Sequence, residues 1–185
     1  MSESSDAELL RAWQTGDAVA GAALFDRYGP GLHRFFADKA RDVADDLVQQ
    51  TFAACVEALQ SIETGGGGKS FRAFVYTLAR RRLIDHLRRF SQPTRAFDPL
   101  TTSIAAMMTG ASTRVGRQVR DEKVRAALAE MPLDTQLTFE LHYWHDLTVP
   151  ETASALGVAD GTVKARLSRG REKLRDLLGD DFEPS

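Results

Sequence analysis

The sequence lacks the features that membrane-spanning, secreted and disulfide-stabilised proteins need. Its 185 residues include one cysteine, Cys55, which excludes an internal disulfide and a cysteine-based zinc site. No apolar run approaches the roughly 18 residues that a membrane span requires. The acidic start, MSESSDAELL, lacks the basic and apolar segments of a secretory signal. We therefore expect a cytoplasmic protein without a membrane span.

The composition is that of a globular protein, but the charge is unevenly distributed along the chain. The net charge is −2, which by itself argues against a nucleic-acid binder. Residues 1–50 hold nine acidic and five basic side chains, whereas residues 69–95 hold one acidic and eight basic. Residues 160–175 hold two acidic and six basic side chains. An acidic first part and two basic segments indicate two kinds of partner.

Alternation of β-branched residues is also lacking, and helical periodicity runs through most of the chain. We therefore predict an all-α fold. Gly29-Pro30 is expected to separate two short helices, and the four glycines at 65–68 to separate two longer ones. The predicted helices span residues 6–14, 17–28, 30–39, 42–61, 70–90, 119–130, 134–145, 148–156 and 160–178.

The helical pattern is interrupted at residues 91–118, which are rich in Ser, Thr, Pro and Gly. This stretch predicts a flexible linker with a short helical piece at 103–108. The sequence thus predicts two small helical domains on a tether that leaves their spacing unfixed. The predicted boundaries are 1–92 for the first domain, 93–118 for the linker, 119–180 for the second domain and 181–185 for a frayed acidic tail.

The segment TVPETASALGVADGTVKARLSRGREKL predicts a helix-turn-helix. Thr148 and Glu151 have the spacing of a capping box, Gly157 provides the turn, and Asp160 is expected to cap the second helix. A helical wheel places leucines on one side of the second helix and candidate major-groove residues on the other. The candidates are Thr162, Lys164, Ala165, Arg166, Ser168, Arg169 and Lys173. The alternative is a solvated basic face on a small bundle.

Two further polar faces lie in the first domain. Helix 42–61 carries Asp46, Gln49 and Gln50 opposite its apolar stripe, which either dock on a basic protein surface or are simply solvated. Helix 70–90 gathers arginines that suit contact with nucleic-acid phosphates. Its aromatic residues, Phe71, Tyr76 and Phe90, either stack on unpaired bases or belong to the core.

These constellations, in this order, resemble a bacterial RNA polymerase sigma factor of the extracytoplasmic-function (ECF) type. ADDLVQQTF at 44–52 is similar to the core-polymerase-binding helix of sigma region 2. SFRAFVYTLARRRLIDHLRR at 70–89 is similar to the promoter-melting helix of that region. Residues 128–174 resemble region 4. Each motif alone is moderately specific, whereas their joint occurrence is highly specific.

The resemblance implies a non-enzymatic subunit, without a cofactor or metal, that directs promoter recognition, promoter melting and transcription initiation. Region 2 would bind the clamp helices of the largest polymerase subunit through Asp46, Gln49 and Gln50. Region 4 would bind the polymerase flap and read the minus-35 element through positions that include Lys164, Ala165, Ser168 and Arg169.

The minus-10 element would be bound and melted by helix 70–90 and the loop before it. The residues assigned to this role are Lys69, Arg81, Arg82, Arg88 and Arg89. The chain departs from the family pattern at Arg81, where Asn is usual, and in the loop sequence ETGGGGKS.

Other readings remain open at this stage. A free-standing helix-turn-helix regulator would carry the same second domain. A metal-dependent hydrolase would use His142 and His145, whose spacing permits zinc binding. An anti-sigma protein, or phosphorylation of Thr51 in the polymerase-binding helix, would provide control.

Overall fold

The computed structural model describes residues 4–63, 69–90, 97–107 and 119–178. Within these ranges the chain is helical, with one isolated β-bridge between Ser103 and Pro132, so the all-α prediction is confirmed. The predictions for the glycine-rich loop 65–68 and the tail 181–185 lie outside the described residues, as do 91–96 and 108–118 of the linker. The helices are α1 (Asp6–Gln14), α2 (Ala18–Ala37), α3 (Ala44–Glu57), α4 (Phe71–Phe90), α5 (Ile104–Met107), α6 (Val119–Ala129), α7 (Leu133–Tyr143), α8 (Val149–Leu156) and α9 (Asp160–Leu178).

Helix α2 runs without a break through Pro30, so the predicted separation of 17–28 from 30–39 is wrong. Proline inside a helix removes a backbone donor and costs about 3 kcal/mol. The helix nevertheless buries one continuous face, with Leu24 and Tyr28 before the proline and Leu32 and Phe35 after it. Each such side chain contributes about 1.5–3 kcal/mol on burial, which outweighs the local cost.

Helices α1 to α4 form the first domain. Helix α1 packs along α2, and α3 lies between α2 and α4. Short 3₁₀ turns, Arg41–Val43 and Leu59–Ser61, flank α3, so the predicted helix 42–61 is shorter than expected. Cys55 is fully buried in this core. Thr51 is also fully buried and donates its hydroxyl hydrogen to the Leu47 carbonyl at 2.7 Å, which makes it a packing residue.

Helices α8 and α9 form the predicted helix-turn-helix. Thr148 and Glu151 close the capping box, with the Thr148 amide donating to Glu151 Oε2 at 2.9 Å. Gly157 ends α8 with φ +68°, a left-handed conformation that glycine adopts without strain. Helix α9 begins at Asp160, which lies in the first turn rather than at the capping position.

The two domains pack against each other and share apolar contacts. Leu133, Leu137 and Leu141 of α7 belong to the same buried cluster as Phe35 and Val75 of the first domain. Helix α4 packs along α8. The unfixed spacing expected from the linker composition is therefore not what the structure shows.

The described part of the linker lies against the second domain. The Leu133 amide donates to the Thr102 carbonyl at 2.9 Å, and the Asp134 amide donates to the Pro99 carbonyl at 3.1 Å. Ile104 of α5 is buried, and the short helix agrees with the piece predicted at 103–108. Residues 97–107 thus help to position the start of α7.

Candidate polymerase and nucleic-acid interfaces

Helix α3 presents a polar face to solvent. Asp46, Gln49 and Gln50 are all exposed, and their spacing places them on one side of the helix, opposite the buried Leu47 and Cys55. Asp46 lies in the first turn, where a carboxylate interacts favourably with the helix dipole. The structure therefore brings the three predicted residues together on an accessible surface.

The same face of α3 contains an apolar residue that the sequence analysis did not select. Val56 is 52% exposed and lies beside Gln49 on the helical wheel, two turns further along. Exposed valine next to amides and a carboxylate is typical of a protein-binding surface rather than of a nucleic-acid-binding one. The helical spacing of Val56 from Asp46 and Gln49 is the sequence pattern that places Val56 on this face.

Helix α4 carries the first basic face. Arg81, Arg88 and Arg89 are exposed and Arg82 is half-buried, while Lys69 is exposed just before the helix and lies 3.4 Å from Glu63. The positive charge is therefore accessible along most of the helix.

The structure decides between the two roles considered for the aromatic residues of α4, base stacking and core packing. Phe71 and Tyr76 are buried in the core, so neither is available to an unpaired base. The side chain of Phe90 lies outside the described residues. Aromatic residues on an amphipathic helix are ordinarily core residues, and burial against Tyr28 and Phe35 decides the matter here.

Helix α9 carries the second basic face. Val163, Leu167 and Leu174 are buried as the wheel predicted. Of the predicted recognition residues, Lys164, Ala165, Ser168, Arg169 and Lys173 are exposed, and Thr162 is half-buried. Most of the predicted recognition residues thus share one accessible surface.

Arg166 is the exception, and its placement on the solvent-facing side of α9 is wrong. Its side chain is buried, 7% exposed, and its Nη2 donates to Asp134 Oδ2 at 3.2 Å. A helical wheel treats α9 as an isolated cylinder, whereas α7 packs along this flank and supplies the carboxylate. Asp134 belongs to a helix that is buried on nearly every side, which the sequence does not show.

Comparison with known proteins identifies the family of this chain. The description "Sigma-70 region 2" matches residues 24–92, and "Sigma-70, region 4" matches residues 121–174. ECF RNA polymerase sigma factor SigM of Mycobacterium tuberculosis (strain ATCC 25618 / H37Rv) is 31% identical over 187 residues, covering 96% of this chain and 86% of SigM. The chain belongs to the ECF sigma factors.

Two further relatives cover nearly the whole chain. RNA polymerase sigma factor NccH of Alcaligenes xylosoxydans xylosoxydans is 30% identical over 182 residues, 95% of each chain. The solved structure of CnrH in complex with the cytosolic domain of CnrY has a TM-score of 0.69 and 23% identity, covering 96% of this chain and 99% of CnrH. The second comparison shows the shared fold.

As a sigma factor, the chain binds core RNA polymerase and directs promoter recognition and transcription initiation, and it is a non-enzymatic subunit. The predicted function is confirmed, and the free-standing regulator is not favoured. No helix in the described residues is long and apolar enough to cross a membrane.

The two domains of the sigma factor share a set of polar contacts that was not predicted from the sequence, and we call it the interdomain seam. Lys39 forms a buried ion pair with Glu140, and the Tyr76 hydroxyl is hydrogen-bonded to His145 Nδ1 at 2.8 Å. Arg72 Nη1 donates to the Asp146 carbonyl at 2.9 Å. The partners are 69 or more residues apart in sequence, so local patterns do not reveal them.

Burial shifts the pKa values of two side chains in the seam, His145 and Glu140. Burial, reinforced by the positive charges of Lys39, Arg34 and Arg72, lowers the pKa of His145 to about 3. Burial raises the pKa of Glu140, although Lys39 acts in the opposite direction. His145 is therefore a neutral hydrogen-bonding and packing residue at neutral pH. His142 Nδ1 lies 2.8 Å from the Leu147 carbonyl, so the two histidines considered as an alternative zinc pair are held in separate contacts.

Proposed function

We propose that this sigma factor binds core polymerase through α3 and promoter DNA through α4 and α9. The observation that supports this division is that all three helices bury an apolar side and expose a polar one, acidic on α3 and basic on α4 and α9. The basic helices suit phosphate, and the acidic face suits a protein surface.

At the minus-35 element, Arg169 is the residue we assign to base recognition. It is exposed on α9, and a guanidinium matches the two acceptors of guanine in the major groove. Lys164 and Lys173, which are also exposed, suit phosphate contacts that position the helix without reading sequence. Ala165 and Ser168 lie between them and allow close approach to the groove. The same domain is assigned to the polymerase flap.

At the minus-10 element, Lys69, Arg81, Arg82, Arg88 and Arg89 provide phosphate contacts along α4. The chain contributes no reacting group to melting. The free energy of strand separation is instead offset by binding of the separated strand, and the positively charged face supplies the electrostatic part of that binding.

The polymerase partner of α3 is assigned as the clamp helices of the largest subunit. Gln49 and Gln50 offer amide donors and acceptors, and Asp46 offers a charge to a basic partner. We place the protein in the cytoplasm, where its polymerase is. CnrH, which shares the fold, was solved with the cytosolic domain of CnrY, and this supports an anti-sigma protein as a further partner of the present chain.

The experiment that tests the proposal is promoter binding with and without core polymerase at matched salt. The free sigma factor should bind promoter duplex weakly, because one domain offers only one basic helix and the first 50 residues are acidic. The holoenzyme should bind tightly and give run-off transcripts from a library of promoters. Tight sequence-specific binding by the free protein would favour the free-standing regulator instead.

A further inference from the structure

The end of α1 is tied to the stretch of chain that leads towards α4. The side-chain amide of Gln14 donates through Nε2 to the Leu59 carbonyl at 2.9 Å and to the Ile62 carbonyl at 3.0 Å. Gln60 Nε2 in turn donates to the Gln14 carbonyl at 3.1 Å. Three hydrogen bonds within the first domain thus join the last turn of α1 to the 3₁₀ turn Leu59–Ser61 and the residue after it.

We propose that Gln14 is a positioning residue for minus-10 recognition. Its amide fixes the point at which the chain leaves the first domain to form the loop before α4. The proposal rests on the minus-10 role assigned above to α4 and to the loop that precedes it. Helix α1 lies outside residues 24–92, which match region 2, so the family match assigns no role to α1 or to Gln14.

The chemistry of the contact explains why a glutamine stands at this position. A helical turn that ends leaves backbone carbonyls without helical partners. A primary amide carries two N–H groups on one nitrogen, so Gln14 binds the carbonyls of Leu59 and Ile62 at the same time. Both hydrogen bonds are partly buried, where a carbonyl that loses its partner is costly. A side chain that cannot donate therefore weakens the hold on this turn.

Helix α1 contacts the chain on both sides of the loop. Ile62, before the loop, is 5% exposed and belongs to the same buried cluster as Leu10 of α1 and Phe71, the first residue of α4. Helix α1 also packs against α4 directly. The Ala73 amide donates to Ser70 Oγ at 3.0 Å, which caps the start of α4. The first domain therefore anchors the chain where it enters the loop and where it leaves it.

The two ends of the loop also lie close together. Lys69 Nζ is 3.4 Å from Glu63 Oε2, and both side chains are exposed. An exposed ion pair contributes little to stability, so it does not fix the loop ends by itself. Lys69 is one of the residues assigned to the minus-10 element. A shift of the backbone at Ile62 reaches Lys69 through Glu63, and Gln14 opposes that shift.

The first test compares Gln14→Glu with Thr15→Val in the full chain. Glutamate has the shape of glutamine, but its carboxylate accepts hydrogen bonds and does not donate them, so it repels both carbonyls. The Thr15 hydroxyl donates to the Ala12 carbonyl at 2.8 Å, at the same end of α1. Valine has the shape of threonine and removes that donor without touching Leu59 or Ile62. Thr15→Val is therefore the control for weakening α1 alone.

Both variants are measured first without DNA and then as holoenzymes. We expect amide hydrogen exchange in residues 58–63 to be about fivefold faster or more in Gln14→Glu and unchanged there in Thr15→Val. In promoter competition, Gln14→Glu should lose about threefold or more of its discrimination between minus-10 bases and keep its minus-35 discrimination. A loss of stability lowers the occupancy of all promoters equally, so a changed preference at one element indicates positioning. Equal minus-10 preference in the two variants would overturn the proposal.

A second variant decides the case if Gln14→Glu fails to fold. Gln60 is exposed, and Gln60→Met removes its hydrogen bond to the Gln14 carbonyl while leaving the core unchanged. We expect a smaller loss of minus-10 discrimination in the same direction, again with minus-35 discrimination unchanged. If Gln60→Met keeps the full minus-10 preference of the wild type, the contact between α1 and this turn does not position the loop.

Failure of the minus-10 assignment is distinguishable from failure of this proposal. Hydrogen exchange reports the hold on the turn without any DNA, so unchanged exchange in Gln14→Glu counts against the role of Gln14 alone. Faster exchange with unchanged minus-10 discrimination also overturns that role. By contrast, holoenzymes carrying Lys69→Ala or Arg88→Ala, with Gln14 intact, test the assigned face itself. Full minus-10 binding by both would count against that face.

Discussion

The polar faces of α3 and α9 differ in how far the rest of the molecule occupies them. Asp46, Gln49 and Gln50 on α3 are exposed. On α9, Arg169 is exposed, but Arg166 is buried against Asp134. The same chain therefore exposes the surface proposed for polymerase binding and buries part of the basic helix proposed for DNA binding.

This difference follows from what packs against each helix. Helix α3 packs mainly against α2 and α4 of the first domain, which cover its apolar side. Helix α9 packs against α6, α7 and α8, and α7 also contacts the first domain through Arg80 and Lys39. A change in domain arrangement thus reaches α9 through α7 and leaves α3 unaffected.

The largest effect is expected on the exposed polar face of α3. Asp46→Lys should weaken assembly with core polymerase by about 2–5 kcal/mol if the carboxylate is desolvated at the centre of the contact. Gel filtration with core should show less complex, while circular dichroism stays helical. Asp26→Lys, an exposed change of the same charge on α2, is the matched control and should assemble normally. Undiminished assembly of Asp46→Lys would count against this site.

The two faces also differ in how well sequence predicts them. The α3 residues, the Thr148–Glu151 capping box and the Gly157 turn follow from local spacing, because each depends on neighbours within one or two helical turns. Pro30 and Arg166 were predicted wrongly for one shared reason. Their surroundings come from distant residues, such as Asp134 for Arg166, and tertiary burial outweighed the local preference.

The interdomain seam shows the same limit. Lys39 and Glu140 are 101 residues apart, and nothing in the chain near either residue indicates the other. The sequence showed polar residues inside the helix that became α7, namely Asp134, Gln136, Thr138 and Glu140, but not that all four are buried. Buried polar side chains need hydrogen-bond or ion-pair partners. For Asp134 and Glu140 of α7 the ion-pair partners are distant in sequence, so only the fold identifies them.

The next largest effect is expected where α9 packs closely against α7. A Cβ at Gly170 would lie 2.2 Å from Phe139 Cε2, so Gly170→Ala forces the helices apart and should destabilise the protein by about 1–3 kcal/mol in denaturant titration. Gly161→Ala, on the same helix with nothing within 4 Å of its added Cβ, is the control and should be neutral or slightly stabilising. Equal stability of both variants would show that the close approach of α9 to Phe139 is not required.

The third prediction separates sequence reading from charge on the α9 face. Arg169→Ala should lose about 1–3 kcal/mol of discrimination at one or two minus-35 base pairs, because a bidentate contact to guanine is lost. Lys173→Ala should weaken binding evenly across sequences and reduce its salt dependence. Promoter competition with both holoenzymes distinguishes the two. If the two variants lose discrimination equally, the division between reading and positioning residues is wrong.

The smallest effect concerns the pH dependence of closure, the packing of the two domains against each other. In the closed protein the pKa of His145 is lowered to about 3, whereas a solvated imidazole has a pKa of 6.5. The stabilisation that neutral His145 gives to the closed form is therefore complete above pH 6.5 and is lost as the pH falls from 6.5 towards 3. At about pH 5.5, protonation of the open form should favour opening about tenfold, or by about 1.4 kcal/mol.

Glu140 acts in the opposite direction, because its raised pKa makes the closed form bind a proton more readily as the pH falls. His145→Gln removes the imidazole and leaves Glu140 in place, so the difference between wild type and variant isolates the histidine. Scattering at about pH 7.5 and about pH 5.5 should show the wild type expanding and the variant staying as compact or becoming more so. An identical pH response in both proteins would mean that His145 is not exposed when the domains separate, and that opening, if it occurs, does not pass through the seam.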